Sequence, residues 1–165
     1  MDLLLATHNT NKTREFRELL GHNFEVIDLS SFPEIVIPGE TGRTFEENAS
    51  LKAIAASHNR LVVADDSGLE VAALGGAPGI YSARYAGKNA SDGENIEKLL
   101  RELLARNLSA DERSGRFRCV IALAQNGKLL GTFQGVIEGT VVDLPRGTGG
   151  FGYDPVFQPA GFEQT

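Results

Sequence analysis

The sequence predicts an α/β fold, a mixed β-sheet with flanking helices and one antiparallel hairpin. Short apolar runs alternate with segments of helical periodicity through the first part of the chain. Asn126-Gly127, between two strand-like segments, is typical of a two-residue hairpin turn. The chain has 165 residues, which is enough for a sizeable core, and we predict a single domain over residues 1–165.

Composition limits the classes of function. Hydrophobic residues make up 41% and charged residues 23% of the chain, as in an ordinary globular protein. The net charge of −6 argues against a broad basic surface for nucleic acid, although a small phosphorylated ligand remains compatible with it. No apolar run approaches the ~18 residues of a membrane span, and residues 1–6 lack the basic start of a signal peptide. We therefore expect a cytoplasmic protein with no membrane partner.

The predicted elements follow in order. Strands are expected at residues 3–6, 24–29, 61–64, 116–125, 128–138 and 140–143. Helices are expected at residues 12–20 with an apolar stripe of Phe16, Leu19 and Leu20, and from Thr44 to about His58. Thr-x-x-Glu and Ser-x-x-Glu patterns at Thr44 and Ser91 indicate capping boxes. The helix after Ser91 carries an apolar stripe of Ile96, Leu99, Leu100, Leu103 and Leu104.

Two adjacent carboxylates end the strand predicted at 61–64. Asp65 and Asp66 follow it directly, and ligands of open α/β sheets bind at the carboxyl ends of strands. Adjacent strand residues point to opposite faces, so the two carboxylates should have different roles. One would face a ligand as metal ligand or base, and the other would brace the loop. An Asx-type turn that closes the strand explains the same residues equally well.

A polar loop separates the first strand from the first helix. The N-terminus of that helix would offer free backbone N–H groups to a phosphate, and Lys12 would add a charge to the same anion. The loop lacks the Gly-x-x-x-x-Gly-Lys of a Walker motif. An Asn-rich loop that only caps a helix is at least as compatible with these residues.

The glycine-rich segment near the C-terminus resembles a dinucleotide motif only in its letters. Gly147-x-Gly149-x-x-Gly152 is followed by Pro155, which disfavours the helix that such a motif requires. We interpret it as a flexible loop that places Phe151 and Tyr153 near a ligand, where rings can stack on a base. The same rings would equally well close the core.

Four carboxylates form a candidate set of hard oxygen ligands for Mg²⁺, namely Glu40, Glu46, Glu47 and Asp66. Glutamates at the start of a helix are more often capping residues, and Glu47 has that explanation already. Cys119 lies in an apolar strand-like segment, which favours a buried structural thiol over a nucleophile.

Five motifs in order give the chain a close resemblance to a known family. They are Ala6-Thr7-x-Asn9-x-x-Lys12, Gly42-x-Thr44-Phe45-x-Glu47-Asn48-Ala49-x-x-Lys52-Ala53, Ala64-Asp65-Asp66-Ser67-Gly68-Leu69, the segment from Leu74 to Tyr85, and the segment from Gly147 to Pro155. The chain resembles the Ham1/inosine triphosphate pyrophosphatase family. The resemblance implies hydrolysis of ITP, dITP and XTP to monophosphate and pyrophosphate with Mg²⁺. It also implies an elongated sheet, two lobes around a central cleft, and a homodimer.

The resemblance also implies roles for particular residues. Asp66 resembles the proton acceptor and a metal ligand, and Glu40 resembles a second metal ligand, with Asp65 as a brace. Glu47 and Lys52 belong to the matching helix motif and are expected to support the site. The expected triphosphate-binding loop comprises Thr7, His8, Asn9, Thr10, Asn11 and Lys12. The expected nucleotide contacts are Ser67, Phe151, Gly152, Tyr153 and Asp154, with Phe151 stacked on the base.

The sequence departs from the family pattern at its end. The family continues into a lysine and a Ser-His-Arg motif that reads the purine 6-keto group, whereas this sequence stops at Thr165. A nucleotide-binding protein without turnover is therefore an alternative expectation. A pyrophosphatase of the related Maf group is a third, which the segments 64–69 and 151–154 argue against.

Overall fold

The computed structural model describes residues 2–165. Two compact units share the chain. The first runs to Asp66 and includes Cys119–Gln134, and the second comprises Ser67–Arg118 and Gly135–Thr165. Between residues 2 and 165, no helix is both long enough and apolar enough to cross a lipid bilayer.

The described residues form a mixed six-stranded sheet, as the sequence predicts. The strands are β1 (Asp2–Leu5), β2 (Glu25–Asp28), β3 (Leu61–Val71), β4 (Ser114–Gln125), β5 (Lys128–Val141) and β6 (Phe157–Pro159). Their order across the sheet is β2-β1-β3-β4-β5-β6. β1 pairs in parallel with both β2 and β3, whereas β5 and β6 are antiparallel. The helices are α1 (Thr10–Leu20), α2 (Phe45–Ala56) and α3 (Asp92–Leu104).

The core of the first unit lies under α1. Its buried residues are Leu3, Leu5, Val26 and Val63, and Phe16 and Leu20 of α1 pack against them. Leu19 does not join the predicted stripe, because 81% of its surface is exposed. The helix ends at Gly21, whose positive φ of 58° is available to glycine without steric cost.

The core of the second unit is built on α3. Ile96, Leu99 and Leu103 pack among buried residues of the same unit, while Leu104 is 72% exposed and lies outside the predicted stripe. The predicted capping box is confirmed, since the Ser91 hydroxyl accepts from Glu94 N and the Glu94 carboxylate accepts from Ser91 N. The helix therefore begins where the sequence predicts.

The hairpin is confirmed, but the two strands predicted after it are one. Asn126 and Gly127 have φ values of 52° and 74°, as a type I′ turn requires. β5 then continues through Gly139, where the sequence predicts a break. A Cβ at Gly139 would lie 2.6 Å from Phe157 Cζ. This glycine allows β6 to approach closely, and it does not end a strand.

Substituting Gly139 should therefore destabilise the protein through overpacking. We expect Gly139→Ala to lower the free energy of unfolding by about 1–3 kcal/mol, because its methyl group must displace Phe157 or β6. Gly135→Ala in the same strand is the matched control, since a Cβ there meets nothing within 4 Å. Urea denaturation measures both, and equal stabilities of the two variants would contradict the packing account.

Candidate active site

Asp65 and Asp66 lie inside β3 and not at its end, so the predicted strand boundary is wrong. β3 continues through both carboxylates to Val71. Its pairing with β1 stops at Leu5 and Val63, after which Ala6 N donates to Val63 O at 2.8 Å. The two carboxylates therefore lie just past the carboxyl end of β1. Asp, Ser and Gly are poor strand formers, which is why the sequence predicts an early end.

Asp65 forms a buried ion pair with α1. Its side chain is 5% exposed, and Lys12 Nζ lies 2.5 Å from its Oδ2. Burial alone would lower the pKa of Lys12, but the charge of Asp65 and the hydrogen bond to it outweigh that effect and raise the pKa above its usual value. Lys12 is therefore a fixed positive charge at the start of α1.

Asp66 contacts α2 on the opposite side of the strand. Asn48 Nδ2 donates to Asp66 Oδ2 at 2.9 Å, and Lys52 Nζ donates to Oδ1 at 3.3 Å. Asn48 and Lys52 are four residues apart and so share one face of the helix. Burial raises the pKa of Asp66, the charge of Glu40 adds to that rise, and Lys52 and Asn48 oppose it. The two aspartates thus contact different helices, as their alternation along the strand predicts.

The carboxylates of Glu40 and Asp66 both contact the ammonium group of Lys52. Lys52 Nζ lies 3.3 Å from Glu40 Oε1 and 3.3 Å from Asp66 Oδ1. Mg²⁺ is usually bound by one or two carboxylates together with substrate phosphates and water. Among residues 2–165, no group of three or more His, Cys, Asp or Glu side chains is arranged to hold a metal ion. Glu40 and Asp66 are thus the residues here that could hold a divalent cation.

Glu46 and Glu47 have other partners. The Glu46 carboxylate accepts from the Thr132 hydroxyl at 2.8 Å, and the Glu47 carboxylate accepts from Arg43 N at 2.6 Å. Thr44 caps α2 by accepting from Glu47 N, but the reciprocal bond of the predicted capping box goes to Arg43 and not to Thr44. Glu47 therefore holds the segment that leads into α2, in keeping with a supporting role.

Several backbone N–H groups at the start of α1 already donate to side chains of the preceding loop. Asn9 is the N-cap, and its Oδ1 accepts from Asn11 N at 3.0 Å and Lys12 N at 3.4 Å. The expectation that these N–H groups are free is thus wrong for Asn11 and Lys12. Thr7 Oγ1 accepts from Asn9 N at 3.1 Å. His8 and Thr10 are exposed, which leaves their side chains accessible to a ligand.

The glycine-rich loop of the second unit is held by two carboxylates. Asp154 Oδ2 accepts from Phe151 N at 2.9 Å, and Asp92 Oδ2 accepts from Gly152 N at 2.7 Å. Tyr153 is 4% exposed, and its hydroxyl donates to Ser82 O at 2.9 Å. Its ring belongs to the core, so the alternative of core closure is correct for Tyr153. Phe151 is half-buried.

The segment that follows Asp66 packs against residues 79–82. A Cβ at Gly68 would overlap Ser82 Oγ and Gly79 O, so only glycine fits there. The buried Ser82 hydroxyl accepts from Leu69 N at 3.0 Å and donates to Gly79 O at 2.7 Å. Ser67 beside it is half-buried. Within the second unit, Ser82 thus links Leu69 of β3, Gly79 and Tyr153.

Comparison with known proteins decides the family. The model of the Ham1 family matches residues 3–165. The chain belongs to the Ham1 family. A dITP/XTP pyrophosphatase from Bacillus licheniformis is 46% identical over 99% of this chain and 84% of its own length. One from Geobacter sulfurreducens is 51% identical over 94% and 78%.

A solved structure extends the likeness to the fold. The Staphylococcus aureus Ham1 protein superposes with a TM-score of 0.84 at 42% identity, covering 100% of this chain and 84% of its own. The mixed sheet and flanking helices described above are thus the Ham1 architecture. The resemblance drawn from the five sequence motifs is confirmed.

Sequence reasoning missed one buried residue of this Ham1 chain. Asn48 has no exposed surface, yet it contacts both Asp66 and the loop before α2. Its position four residues before Lys52 on α2 was the available signal.

Cys119 is half-buried, and burial together with the charge of Asp65 raises the pKa of its thiol to about 11. Cys119 is thus less buried than predicted, while its raised pKa agrees with the prediction that it is not a nucleophile.

The ion pair between Lys12 and Asp65 should be strongly coupled. We expect Asp65→Asn to lower the free energy of unfolding by about 3 kcal/mol, because it leaves the Lys12 charge largely buried without its partner. Lys12→Met should have a similar effect, and the double variant should lose much less than the sum. A double-mutant cycle by urea denaturation measures the coupling.

The exposed pair Glu97 and Arg101 is the matched control. These side chains are 77% and 66% exposed, and their coupling should be below about 0.5 kcal/mol. A coupling between Lys12 and Asp65 as small as that of the control pair would contradict the account of a buried brace.

Proposed function

We propose that this chain hydrolyses the non-canonical purine nucleoside triphosphates dITP, ITP and XTP to the monophosphate and pyrophosphate, which removes them from the nucleotide pool. The observation that carries the proposal is the buried carboxylate of Asp66, held by Asn48 and sharing the Lys52 ammonium with Glu40. The activity named for the relatives from B. licheniformis and G. sulfurreducens, dITP/XTP pyrophosphatase, supports it.

Asp66 is the proposed proton acceptor. The oxygen of a water molecule forms a bond to the α-phosphorus, and the bond from that phosphorus to the leaving pyrophosphate breaks. One proton of the water passes to the Asp66 carboxylate. Burial raises the pKa of this carboxyl. Asn48 and Lys52 donate to its oxygens and favour the ionised form.

Two lysines of the first unit are the proposed electrostatic groups. Lys12 stands at the start of α1 and is fixed by Asp65, so its charge needs no reorganisation when an anion arrives. Lys52 is held between Glu40 and Asp66. In the reaction it would move toward the phosphates, which carry more negative charge than the carboxylates it leaves.

Asp66 and Glu40 would hold the proposed Mg²⁺. When bound, the ion neutralises charge that develops on the phosphate oxygens. Thr7, His8, Asn9, Thr10 and Asn11 are proposed triphosphate contacts. The proposed nucleotide contacts are Ser67, Gly152, Asp154 and Phe151, the last stacked on the base.

We extend the proposal to assembly and compartment. A homodimer is the assembly that the family resemblance implies, with residues 75–85 as the proposed interface, and sedimentation equilibrium would reveal a monomer if this is wrong. The cytoplasm is the proposed compartment, because nucleoside triphosphates are made there.

Pyrophosphate release tests the proposed reaction. With Mg²⁺ present, we expect dITP, ITP and XTP to be hydrolysed about 100-fold faster than dGTP or ATP, measured as kcat/KM. Asp66→Asn keeps the shape of the side chain while removing the base, and should lower kcat by ~10² or more. Equal rates on all five nucleotides would contradict the proposed specificity.

Asp111→Asn is the control for the loss of one negative charge. Asp111 is exposed in the turn Ala110–Glu112, and this variant should retain the unaltered rate. Full activity of Asp66→Asn would contradict the mechanism. Binding of dITP by calorimetry without pyrophosphate release would favour the alternative of a nucleotide-binding protein.

A further inference from the structure

Asn48 connects two parts of the first unit that the proposed reaction needs together. It lies in the first turn of α2 and has no exposed surface. Its amide makes two hydrogen bonds, one to the carboxylate of Asp66 and one to the backbone of the loop that carries Glu40. We propose that Asn48 is a positioning residue that sets Glu40 and Asp66 at the separation required to bind one divalent cation. This inference rests on the proposed function.

The hydrogen bond from Asn48 to Asp66 determines which carboxylate oxygen of Asp66 faces Lys52 and Glu40. Asn48 Nδ2 donates to Oδ2 at 2.9 Å, which leaves Oδ1 facing the Lys52 ammonium at 3.3 Å. Without this donor, the carboxylate of Asp66 would be free to rotate about its terminal torsion, which has no sharply preferred value. Asn48 therefore orients the oxygen that a cation would bind.

The bond to the loop fixes the position of Glu40. Residues 35–42 belong to neither helix nor strand, so no regular pattern of backbone hydrogen bonds holds them. Gly42 N donates to Asn48 Oδ1 at 2.8 Å, two residues after Glu40. A Cβ at Gly42 would lie 2.6 Å from Asn48 Oδ1 and 2.8 Å from Glu47 Cβ. The loop can approach Asn48 this closely only because residue 42 is glycine.

Asparagine suits this position because it both donates and accepts. Gly42 N–H requires an acceptor and the Asp66 carboxylate requires a donor, and one short amide supplies both. Aspartate would lack the donor and alanine would lack both groups. The same two bonds also contribute to stability, so a test must separate cation binding from folding.

The test measures Mn²⁺ affinity and not only activity. Mn²⁺ is titrated, together with the α,β-methylene analogue of dITP, while the free ion is followed by electron paramagnetic resonance. We expect Asn48→Ala to raise the Mn²⁺ Kd by about 10-fold or more, the usual cost of losing a partner that orients metal ligands. In an Asp66→Asn background, Asn48→Ala should cause a smaller further rise, because only its link to the Glu40 loop remains to be lost.

Asn95→Ala is the matched control for a purely structural role. Asn95 is also a buried helix asparagine with two links, accepting from Ala86 N at 2.8 Å and donating to Ala83 O at 3.3 Å. It should lower the melting temperature as Asn48→Ala does, but leave the Mn²⁺ Kd within about twofold. An Asn48→Ala protein that matches Asn95→Ala in both respects would overturn the inference.

Gly42→Ala provides a second variant in case Asn48→Ala does not fold. Its methyl group would clash with Asn48 Oδ1 and Glu47 Cβ and so displace the loop from Asn48, and the Mn²⁺ Kd should again rise about 10-fold. An unchanged Kd for Gly42→Ala, in a chain that binds Mn²⁺ and releases pyrophosphate, would overturn this inference alone. An unaltered chain that does neither would overturn the proposed function as well.

Discussion

The alternation of side chains along β3 is the constraint on which the candidate site depends. Asp65 and Asp66 are consecutive, and each is only 5% exposed, so folding buries two negative charges at adjacent positions of one strand. Each needs its own partner on its own face. α1 supplies Lys12 to one carboxylate, and α2 supplies Asn48 and Lys52 to the other. The positions of both helices are therefore tied to the register of this strand.

The two faces differ in how their carboxylates are paired. The bond between Lys12 and Asp65 is short and joins opposite charges. On the other face, the Lys52 ammonium is shared by two carboxylates, each at 3.3 Å. A divalent cation held by these two carboxylates would neutralise their charge. Asn48 holds this arrangement in place without adding any charge of its own.

Much of the fold and part of the site were predictable from local signals. The Ser91 capping box, the Asn126-Gly127 turn and the opposite orientation of Asp65 and Asp66 each follow from chemistry within a few residues. The end of β3 was not predictable, because pairing with neighbouring strands overrides the low strand propensity of Asp, Ser and Gly. The contacts of Asn48 are with residues 6 and 18 positions away, which no local pattern reveals.

Anomalous diffraction from Mn²⁺ tests the central claim most directly. Crystals of this chain would be soaked with Mn²⁺ and the α,β-methylene analogue of dITP. The account predicts an anomalous peak about 2.0–2.3 Å from carboxylate oxygens of both Asp66 and Glu40, with the bond between Lys12 and Asp65 intact. It also predicts that the Lys52 ammonium moves away from the metal. A peak at Asp65, or one that touches neither Asp66 nor Glu40, would contradict the account.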